Sequence, residues 1–212
     1  MFPEILKNIE SFSDQNIRAE RKFALQKLVD YINKKRSNNE PIRLNFICTH
    51  NSRRSHLAQI WAQAMAYYFG LKNVSCYSGG TEATAMFPMV VETLIHQGFH
   101  FQKLSSSENP IYAVKYSQDE PAIICFSKTY NNDFNPKSNF SAIMTCDHAD
   151  ENCPIVQGAE TRFPIQYGDP KLYDGMAIQS EKYTERSLEI GEEMWWVFRS
   201  ILKLSPLKKI SL

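Results

Sequence analysis

Leu44-Asn45-Phe46-Ile47-Cys48-Thr49-His50-Asn51-Ser52-Arg53-Arg54-Ser55 is the stretch that decides the fold of this chain. Its first residues form an apolar run that is typical of a buried strand, and residues 56–69 after it have the composition of a helix that ends at Gly70. A strand followed by a short loop and a helix is the repeating unit of a parallel α/β sheet, in which ligands bind at the carboxyl ends of the strands. Cys48 lies at such an end.

The loop from Cys48 to Ser55 predicts an oxyanion site with a sulfur nucleophile. Backbone N–H groups of a loop that opens a helix can surround a tetrahedral anion, and the helix N-terminus adds positive potential. Arg54 can hold two oxygens of the anion, and Ser55 can donate its hydroxyl to the sulfur or cap the helix. Cysteines at helix N-termini beside arginine are commonly ionised and nucleophilic at neutral pH. The predicted anion-binding residues are Thr49, His50, Asn51, Ser52, Arg53 and Arg54.

An alternative interpretation treats Cys48 as a structural cysteine beside surface arginines. The preceding strand, the adjacent serine and the following helix favour the oxyanion site. With these features the segment resembles the low-molecular-weight protein tyrosine phosphatase superfamily, which includes the thioredoxin-coupled arsenate reductases. The resemblance rests on Cys48, Asn51, Arg54 and Ser55. The family usually has a glycine where this chain has His50, and often a second cysteine where it has Arg53. We therefore expect His50 to narrow the mouth of the loop and Arg53 to add a second cation.

Attack by a thiolate on a phosphate-like group requires a proton donor for the leaving oxygen. The superfamily supplies this proton from an Asp-Pro pair late in the chain, and Tyr167-Gly168-Asp169-Pro170 is the matching segment. Gly-Asp-Pro is also a common turn sequence. Its position after the apolar Phe163-Pro164-Ile165 and before the last helix follows the order of the family. Asp169 is therefore the predicted general acid.

Two further cysteines, Cys146 and Cys153, follow the apolar segment Ala142-Ile143-Met144. This segment resembles the resolving-cysteine loop of the thioredoxin-coupled arsenate reductases. The resemblance implies that Cys48 attacks arsenate, that Cys146 then attacks Cys48, and that a Cys146–Cys153 disulfide is finally reduced by thioredoxin. Two alternatives remain open: a metal held by the two cysteines with His148, although the spacing lacks a paired Cys-x2-Cys pattern, or inert thiols. We predict no metal and no cofactor.

The composition of the chain excludes several other classes of function. Its 212 residues suffice for one α/β domain, and 24 basic against 23 acidic side chains favour neither nucleic acid nor a membrane surface. The sequence contains no stretch of the length of a membrane-spanning helix and no secretion signal. Five cysteines grouped in this way favour catalytic thiols in a reducing compartment, and hence the cytoplasm. Cys76 and Cys125 lie in apolar strands and are expected to be core thiols.

The predicted fold class is a doubly wound α/β fold with a mainly four-stranded parallel sheet flanked by helices. Residues 1–40 are expected to form an N-terminal helical extension, with Leu25, Leu28, Val29 and Ile32 at helical spacing, and residues 41–212 the phosphatase-like or arsenate reductase domain. An insertion at about residues 110–140 is predicted to contain a hairpin. In the last helix, the pattern predicts that Leu188, Trp195, Phe198 and Leu202 share a core-facing side.

Three functions fit these patterns. The leading prediction is arsenate reduction by the three-cysteine relay, with an arsenate or phosphate-type oxyanion as ligand and thioredoxin as reductant. The second is hydrolysis of phosphotyrosine or a small phosphomonoester through a phosphocysteine, which requires only Cys48, Arg54 and Asp169. The third is a non-catalytic anion-binding module that recruits a partner protein.

Overall fold

The computed structural model of the chain describes residues 1–152 and 155–203. Its main sheet has four parallel strands in the order β2-β1-β6-β7. Their bounds are Ile42–Cys48 for β1, Val74–Gly80 for β2, Phe140–Met144 for β6 and Ala159–Pro164 for β7. The strands β1 and β6 are the central ones, and they are almost wholly buried, as expected for strands covered on both faces. The four-stranded parallel sheet predicted from the sequence is confirmed.

Six α-helices accompany the two sheets within the described residues. They are α1 (Pro3–Glu10), α2 (Ala19–Ser37), α3 (Arg54–Tyr68), α4 (Pro88–His96), α5 (Asp147–Asn152) and α6 (Gln179–Lys203). The helix α3 packs between the sheet and α6, and its side chains are buried along most of its length. None of the helices in the described ranges is long and apolar enough to span a membrane.

The N-terminal helices α1 and α2 join the same hydrophobic core as the sheet. Ile5 and Ile9 of α1 are buried there, together with the predicted stripe of α2, Leu25, Leu28, Val29 and Ile32. Both helices contact α6, and α2 also contacts β1 and β7. The predicted helical extension is therefore present and packs on this chain, whereas the division into units 1–40 and 41–212 stays a prediction.

A small antiparallel sheet, β3-β4-β5, has the bounds His100–Lys103, Tyr112–Lys115 and Ile123–Cys125. Its strands β4 and β5 lie in the insertion, and β3 precedes it. The strands β4 and β5 are the predicted hairpin. Tyr112 lies opposite Cys125 at one end of their pairing, and Val114 lies opposite Ile123 at the other. The sequence did not reveal β3, because its four residues are mostly exposed and show no apolar alternation. After β5 the chain returns to the main sheet, where Thr129 forms a parallel bridge with Gly80.

The buried side of α6 differs in part from the predicted one. Phe198 is fully buried, and Leu188 and Trp195 pack partly against the core, but Leu202 is largely exposed. The fully buried residues are Tyr183, Ser187, Ile190, Met194, Val197, Phe198 and Ile201. The prediction was wrong for Leu202 because the buried side of α6 includes the neighbouring Ile201 and turns Leu202 toward solvent.

The register of the parallel strands places four loops at one edge of the sheet. Cys48, the last residue of β1, lies beside Gly80 of β2, and Ile47 lies beside Met144 of β6. Met144 in turn lies beside Pro164 of β7. The chain segments that follow these strands contain the cysteine loop, Cys146 and Asp169. The sheet therefore brings the predicted site residues to its carboxyl edge, where α/β proteins bind their ligands.

Candidate active site

Cys48 is held in a directed hydrogen-bond chain with Ser55 and Asn51. Its Sγ lies 3.0 Å from Ser55 Oγ, and Asn51 Nδ2 donates to the same oxygen at 2.8 Å. Because Ser55 accepts from Asn51, its own hydroxyl hydrogen is free to point at the sulfur. A donated hydrogen bond stabilises a thiolate more than a thiol. All three side chains are almost wholly buried. Ser55 lies in the first turn of α3 and does not cap it, since α3 begins at Arg54 and its N-cap residue is Arg53.

Asn51 turns the loop through the left-handed backbone region, with φ of +44°. Asparagine tolerates this conformation better than most residues. Its Oδ1 accepts a hydrogen bond of 2.9 Å from the backbone N–H of Lys128. The side chain thus connects the cysteine loop to the part of the insertion that follows β5, and both of its polar atoms are satisfied.

Arg54 and Asp169 meet across the site. Arg54 Nη2 donates to Asp169 Oδ2 at 2.6 Å, and Nη1 donates to the carbonyl oxygen of Tyr167 at 2.9 Å. The second carboxylate oxygen of Asp169 accepts from the backbone N–H of Lys171 at 3.0 Å, which caps the short 3₁₀ helix Pro170–Tyr173. The Asp-Pro segment, more than 110 residues away in sequence, therefore lies against the cysteine loop.

Arg53 has a different set of partners. Its Nε donates to Tyr183 Oη and its Nη2 to Asp174, both at 2.6 Å, and its guanidinium lies 4.0 Å from the ring centroid of Phe87. Tyr183 also donates to Asp174 at 2.6 Å. The side chain therefore ties the loop to the segment after Asp169 and to α6. Its charge is paired with Asp174, and its contribution to anion binding as a second cation stays a prediction.

The other loop residues line a small recess above the cysteine. The recess has about 20 Å³ and is lined by Cys48, Thr49, His50, Ser52, Arg53, Arg54 and Asp169. His50 is half exposed at its rim, 3.6 Å from the carboxylate of Glu82. A space of this size accommodates about one water-sized group.

Cys146 lies beside the residue that follows the predicted nucleophile. Its Sγ is 3.5 Å from Thr49 Oγ1 and accepts from the backbone N–H of Ala149 at 3.4 Å. Cys146 and Cys48 belong to the same buried cluster, and both are free thiols. Thr49 Oγ1 also lies 3.4 Å from Nδ1 of His148.

The predicted partner thiol Cys153 lies outside the described residues, so the alternative metal set that includes it stays open. Among the residues that the structure describes, no group of three or more His, Cys, Asp or Glu side chains is arranged to hold a metal ion.

The part of the insertion that follows β5 supplies residues that the sequence did not single out. Ser127 Oγ donates to the carbonyl oxygen of His50 at 2.9 Å, and the Lys128 N–H bonds to Asn51. The Lys128 carbonyl oxygen also accepts from the N–H of Gly80 at 2.8 Å. No motif marks these positions, because two of the three bonds use the main chain of Lys128. The insertion therefore supports the cysteine loop from the side of β2.

Two basic side chains, those of His56 and Lys128, are buried close to the cysteine loop. Burial, with a smaller effect from nearby Lys128, lowers the pKa of His56 to about 3, so that its imidazole is neutral. Burial likewise lowers the pKa of Lys128 to about 8, and its ammonium donates to the carbonyl oxygen of Phe126 at 3.2 Å. Burial raises the pKa of the Cys125 thiol to about 12 and that of Cys76 beyond the usual range. Both of these cysteines are therefore buried in the core, as predicted.

Comparison with known proteins reveals a family match and a shared fold. Residues 43–116 match the family model for low molecular weight phosphotyrosine protein phosphatase. No match was found among curated protein sequences. Among solved structures, a YwlE mutant from Bacillus subtilis is 17% identical with a TM-score of 0.52, over 76% of this chain and 99% of that one. A low molecular weight phosphotyrosine phosphatase from Vibrio cholerae O395 is 13% identical with a TM-score of 0.51, over 77% and 97%.

An arsenate reductase from Archaeoglobus fulgidus DSM 4304 is 20% identical over 74% of this chain and 98% of that one. Its TM-score of 0.44 is too low to bear on the activity of this chain. The two TM-scores above 0.5 show a common fold, and the family model covers the cysteine loop and the first two parallel strands. In sequence over residues 43–116 and in fold, this chain is therefore similar to the low-molecular-weight protein tyrosine phosphatase superfamily.

Proposed function

We propose that this chain reduces arsenate to arsenite, with Cys48 as nucleophile and Cys146 as the second thiol. The observation that carries the proposal is the position of Cys146, whose Sγ lies 3.5 Å from Thr49 Oγ1 in the buried cluster that also contains Cys48. Hydrolysis of a phosphoester does not require a second thiol at this place. Reduction of arsenate by a relay within the chain requires one, because two protein thiols together supply the two electrons as they form a disulfide.

The first step uses the cysteine loop as an oxyanion site. Arg54 turns from Asp169 to the incoming arsenate, and the Cys48 thiolate attacks arsenic while Ser55 stabilises the sulfur. Asp169, released from Arg54, donates a proton to the oxygen that leaves as water. The product is a covalent adduct in which Cys48 sulfur is bonded to arsenic in its pentavalent state.

The second step transfers two electrons. The Cys146 thiolate attacks Cys48 Sγ, a sulfur–sulfur bond forms, and the sulfur–arsenic bond breaks with its electron pair on arsenic, which leaves as arsenite. Two thiols are oxidised to one disulfide while arsenic is reduced by two electrons. Cys153 then attacks Cys146, which restores Cys48 as a thiolate and leaves a Cys146–Cys153 disulfide. Thioredoxin, in a cytoplasmic setting, is the proposed reductant of that disulfide.

A second function, hydrolysis of phosphotyrosine or a small phosphomonoester, is favoured by a separate observation. Cys48, Arg54 and Asp169 line one recess, and these three groups suffice for transfer of a phosphoryl group to sulfur and its release to water. Because arsenate and phosphate share charge and shape, an arsenate reductase built on this site also hydrolyses 4-nitrophenyl phosphate to some extent. The two functions therefore differ in what happens at Cys146.

A count of free thiols by mass spectrometry separates the two functions. The reduced protein, which has five cysteines, is treated with one equivalent of arsenate without thioredoxin. Arsenate reduction predicts the loss of two thiols, mapped to a bond between Cys146 and Cys153, and Cys146→Ser abolishes this loss while 4-nitrophenyl phosphate is still hydrolysed. Cys76→Ala is the matched control, since Cys76 lies in the core, and it still loses two thiols.

Two other results would redirect the assignment. An unchanged thiol count with intact hydrolysis of 4-nitrophenyl phosphate assigns the chain as a phosphatase. An anion-binding module without catalysis would neither lose thiols nor hydrolyse the ester, and its binding of inorganic phosphate would persist in Cys48→Ser.

A further inference from the structure

The segment that carries Asp169 is anchored through the main chain of Tyr167. The Tyr167 N–H donates to the carbonyl oxygen of Thr145 at 3.1 Å, and the Tyr167 carbonyl oxygen accepts from Arg54 at 2.9 Å. Only Gly168 separates this anchor from Asp169. The position of Tyr167 therefore determines both where Arg54 rests and how Asp169 approaches the cysteine loop.

The ring of Tyr167 is covered by an arginine from the N-terminal helix α2. The Arg21 guanidinium lies 4.7 Å from the ring centroid of Tyr167, which is 4% exposed. Cation–π contacts are strongest where the cation is shielded from water. Burial, together with the negative charge of Glu193, raises the pKa of Tyr167 well above its ordinary value and keeps the phenol neutral.

Arg21 is itself fixed by a buried carboxylate of α6. Its Nε and Nη2 donate to the two oxygens of Glu193 at 2.5 and 2.8 Å, and Glu193 is 4% exposed. A bidentate pair of this kind holds the guanidinium plane in one orientation, which a lysine cannot reproduce. Three elements that are distant in sequence, α2, α6 and the Asp169 segment, thus meet at one side chain.

We propose that Arg21 is a positioning residue for the general acid: by clamping the ring of Tyr167 against Glu193, it holds the segment that presents Asp169 to the leaving oxygen. This inference rests on the proposed function, because it presumes that Asp169 donates a proton. It gives residues 1–40 a role in the reaction, since α2 supplies the arginine. Arg21 lies behind the Asp169 segment and acts only through Tyr167.

A comparison of two phosphate esters with different leaving groups distinguishes a misplaced general acid from a general loss of protein stability, which would affect both esters equally. Phenyl phosphate releases a strongly basic phenolate and depends on the acid, whereas 4-nitrophenyl phosphate releases a weaker base and depends on it less. In Arg21→Leu, kcat/KM for phenyl phosphate should fall roughly tenfold more than kcat/KM for 4-nitrophenyl phosphate, since misplacement by about 1 Å can cost a factor of about a hundred. Arg21→Lys keeps the positive charge but not the planar guanidinium that bonds both oxygens of Glu193. It should therefore show a smaller difference between the two esters than Arg21→Leu.

Arg18→Leu is the matched control, because Arg18 is an exposed arginine at the start of the same helix. It should leave both rates unchanged. Asp169→Asn is the reference, and it should show the same preference for the better leaving group to a larger degree. Equal losses on the two esters in Arg21→Leu, or no loss at all, would overturn the inference.

Hydrogen exchange provides a second measurement that does not depend on turnover. Amides of residues 166–171 should exchange faster in Arg21→Leu than in Arg18→Leu, as measured by mass spectrometry on the full chain. If exchange rises but the unaltered protein hydrolyses neither ester, the proposed proton donation by Asp169 fails while the positioning of its segment by Arg21 stands. If Asp169→Asn shows the preference for the better leaving group and exchange is the same in Arg21→Leu and Arg18→Leu, the positioning role of Arg21 fails while proton donation by Asp169 stands. The proposed arsenate reduction is tested separately, by the count of free thiols.

Discussion

Replacing Gly80 with alanine tests whether the position of the cysteine loop is fixed by the neighbouring strand. A Cβ on Gly80 would lie 2.2 Å from the carbonyl oxygen of Glu82, 2.6 Å from that of Thr49 and 2.7 Å from the backbone nitrogen of Asn51. All three are main-chain atoms, which cannot rotate away as the end of a side chain can. To reach the 3.4 Å at which ordinary contact begins, the cysteine loop and the segment after β2 have to move by about 0.8 to 1.2 Å.

A movement of this size acts on the groups that hold the oxyanion. Misplacement by about 1 Å can cost a factor of about a hundred in rate, so Gly80→Ala should lower kcat/KM for 4-nitrophenyl phosphate by roughly 10- to 100-fold. Overpacking also costs about 1–3 kcal/mol of stability. For a chain of this length, each kcal/mol lowers Tm by about 2–4 °C. The assay is therefore steady-state hydrolysis combined with thermal unfolding.

Gly70→Ala separates the loss of stability from the movement of the loop. Gly70 has φ of +66° and no atom within 4 Å of its would-be Cβ, so alanine there suffers only backbone strain of about 1–2 kcal/mol. It should lower Tm to a similar extent and leave kcat/KM unchanged. If Gly80→Ala keeps the activity of the unaltered protein, or if Gly70→Ala loses as much activity, the loop is not held by contact with β2.

Three further predictions concern the backbone of the loop, the buried histidine beside it and the N-terminal helix α2. Asn51→Ala should be roughly 1 kcal/mol less stable than Asn51→Gly in urea unfolding, because only alanine is strained at φ of +44°; equal stability would contradict this. Since the pKa of His56 is lowered to about 3, the folded state binds fewer protons than the unfolded state between that value and the ordinary 6.5. Stability should therefore fall with pH below 6.5, by up to about 1.4 kcal/mol per pH unit, and His56→Asn should flatten this dependence; unchanged slopes would show that His56 is not the cause. Leu28→Ala should cost about 2–5 kcal/mol because Leu28 is fully buried, whereas Phe23→Ala, at an exposed position of α2, should stay within about 0.5 kcal/mol. Similar small effects of both would mean that α2 packs only loosely.

The sequence predicts the main sheet and the hairpin because these elements have local signals, which β3 lacks. The apolar run before Cys48, the helix that ends at Gly70 and the hairpin of the insertion are all visible over a few residues. Parallel pairing of such strands then brings Cys48, Cys146 and Asp169 to one edge of the sheet, without any knowledge of side-chain contacts. The predicted four-stranded sheet is confirmed for this reason.

The contacts that fix the loop are less predictable, because residue type does not encode them. Any residue except proline could donate the backbone N–H that Lys128 provides to Asn51. The pairing of Arg53 with Asp174 and Tyr183 joins positions more than 120 residues apart, and the sequence shows only an extra arginine beside Arg54. Arg53 was expected to add a second cation beside the site, which stays a prediction, and its bond to Tyr183 of α6 was not foreseen.

These unpredicted contacts explain how a strained loop can persist. A non-glycine residue with positive φ is stable only where its surroundings determine its conformation from several directions. Asn51 has such surroundings: Lys128 fixes its side chain from the insertion, Gly80 leaves space for its backbone, and Arg53 fixes the following turn from α6. The geometry of the nucleophile is therefore a property of the assembled sheet, insertion and helices, and substitutions far from Cys48 in sequence should change its reactivity without touching it.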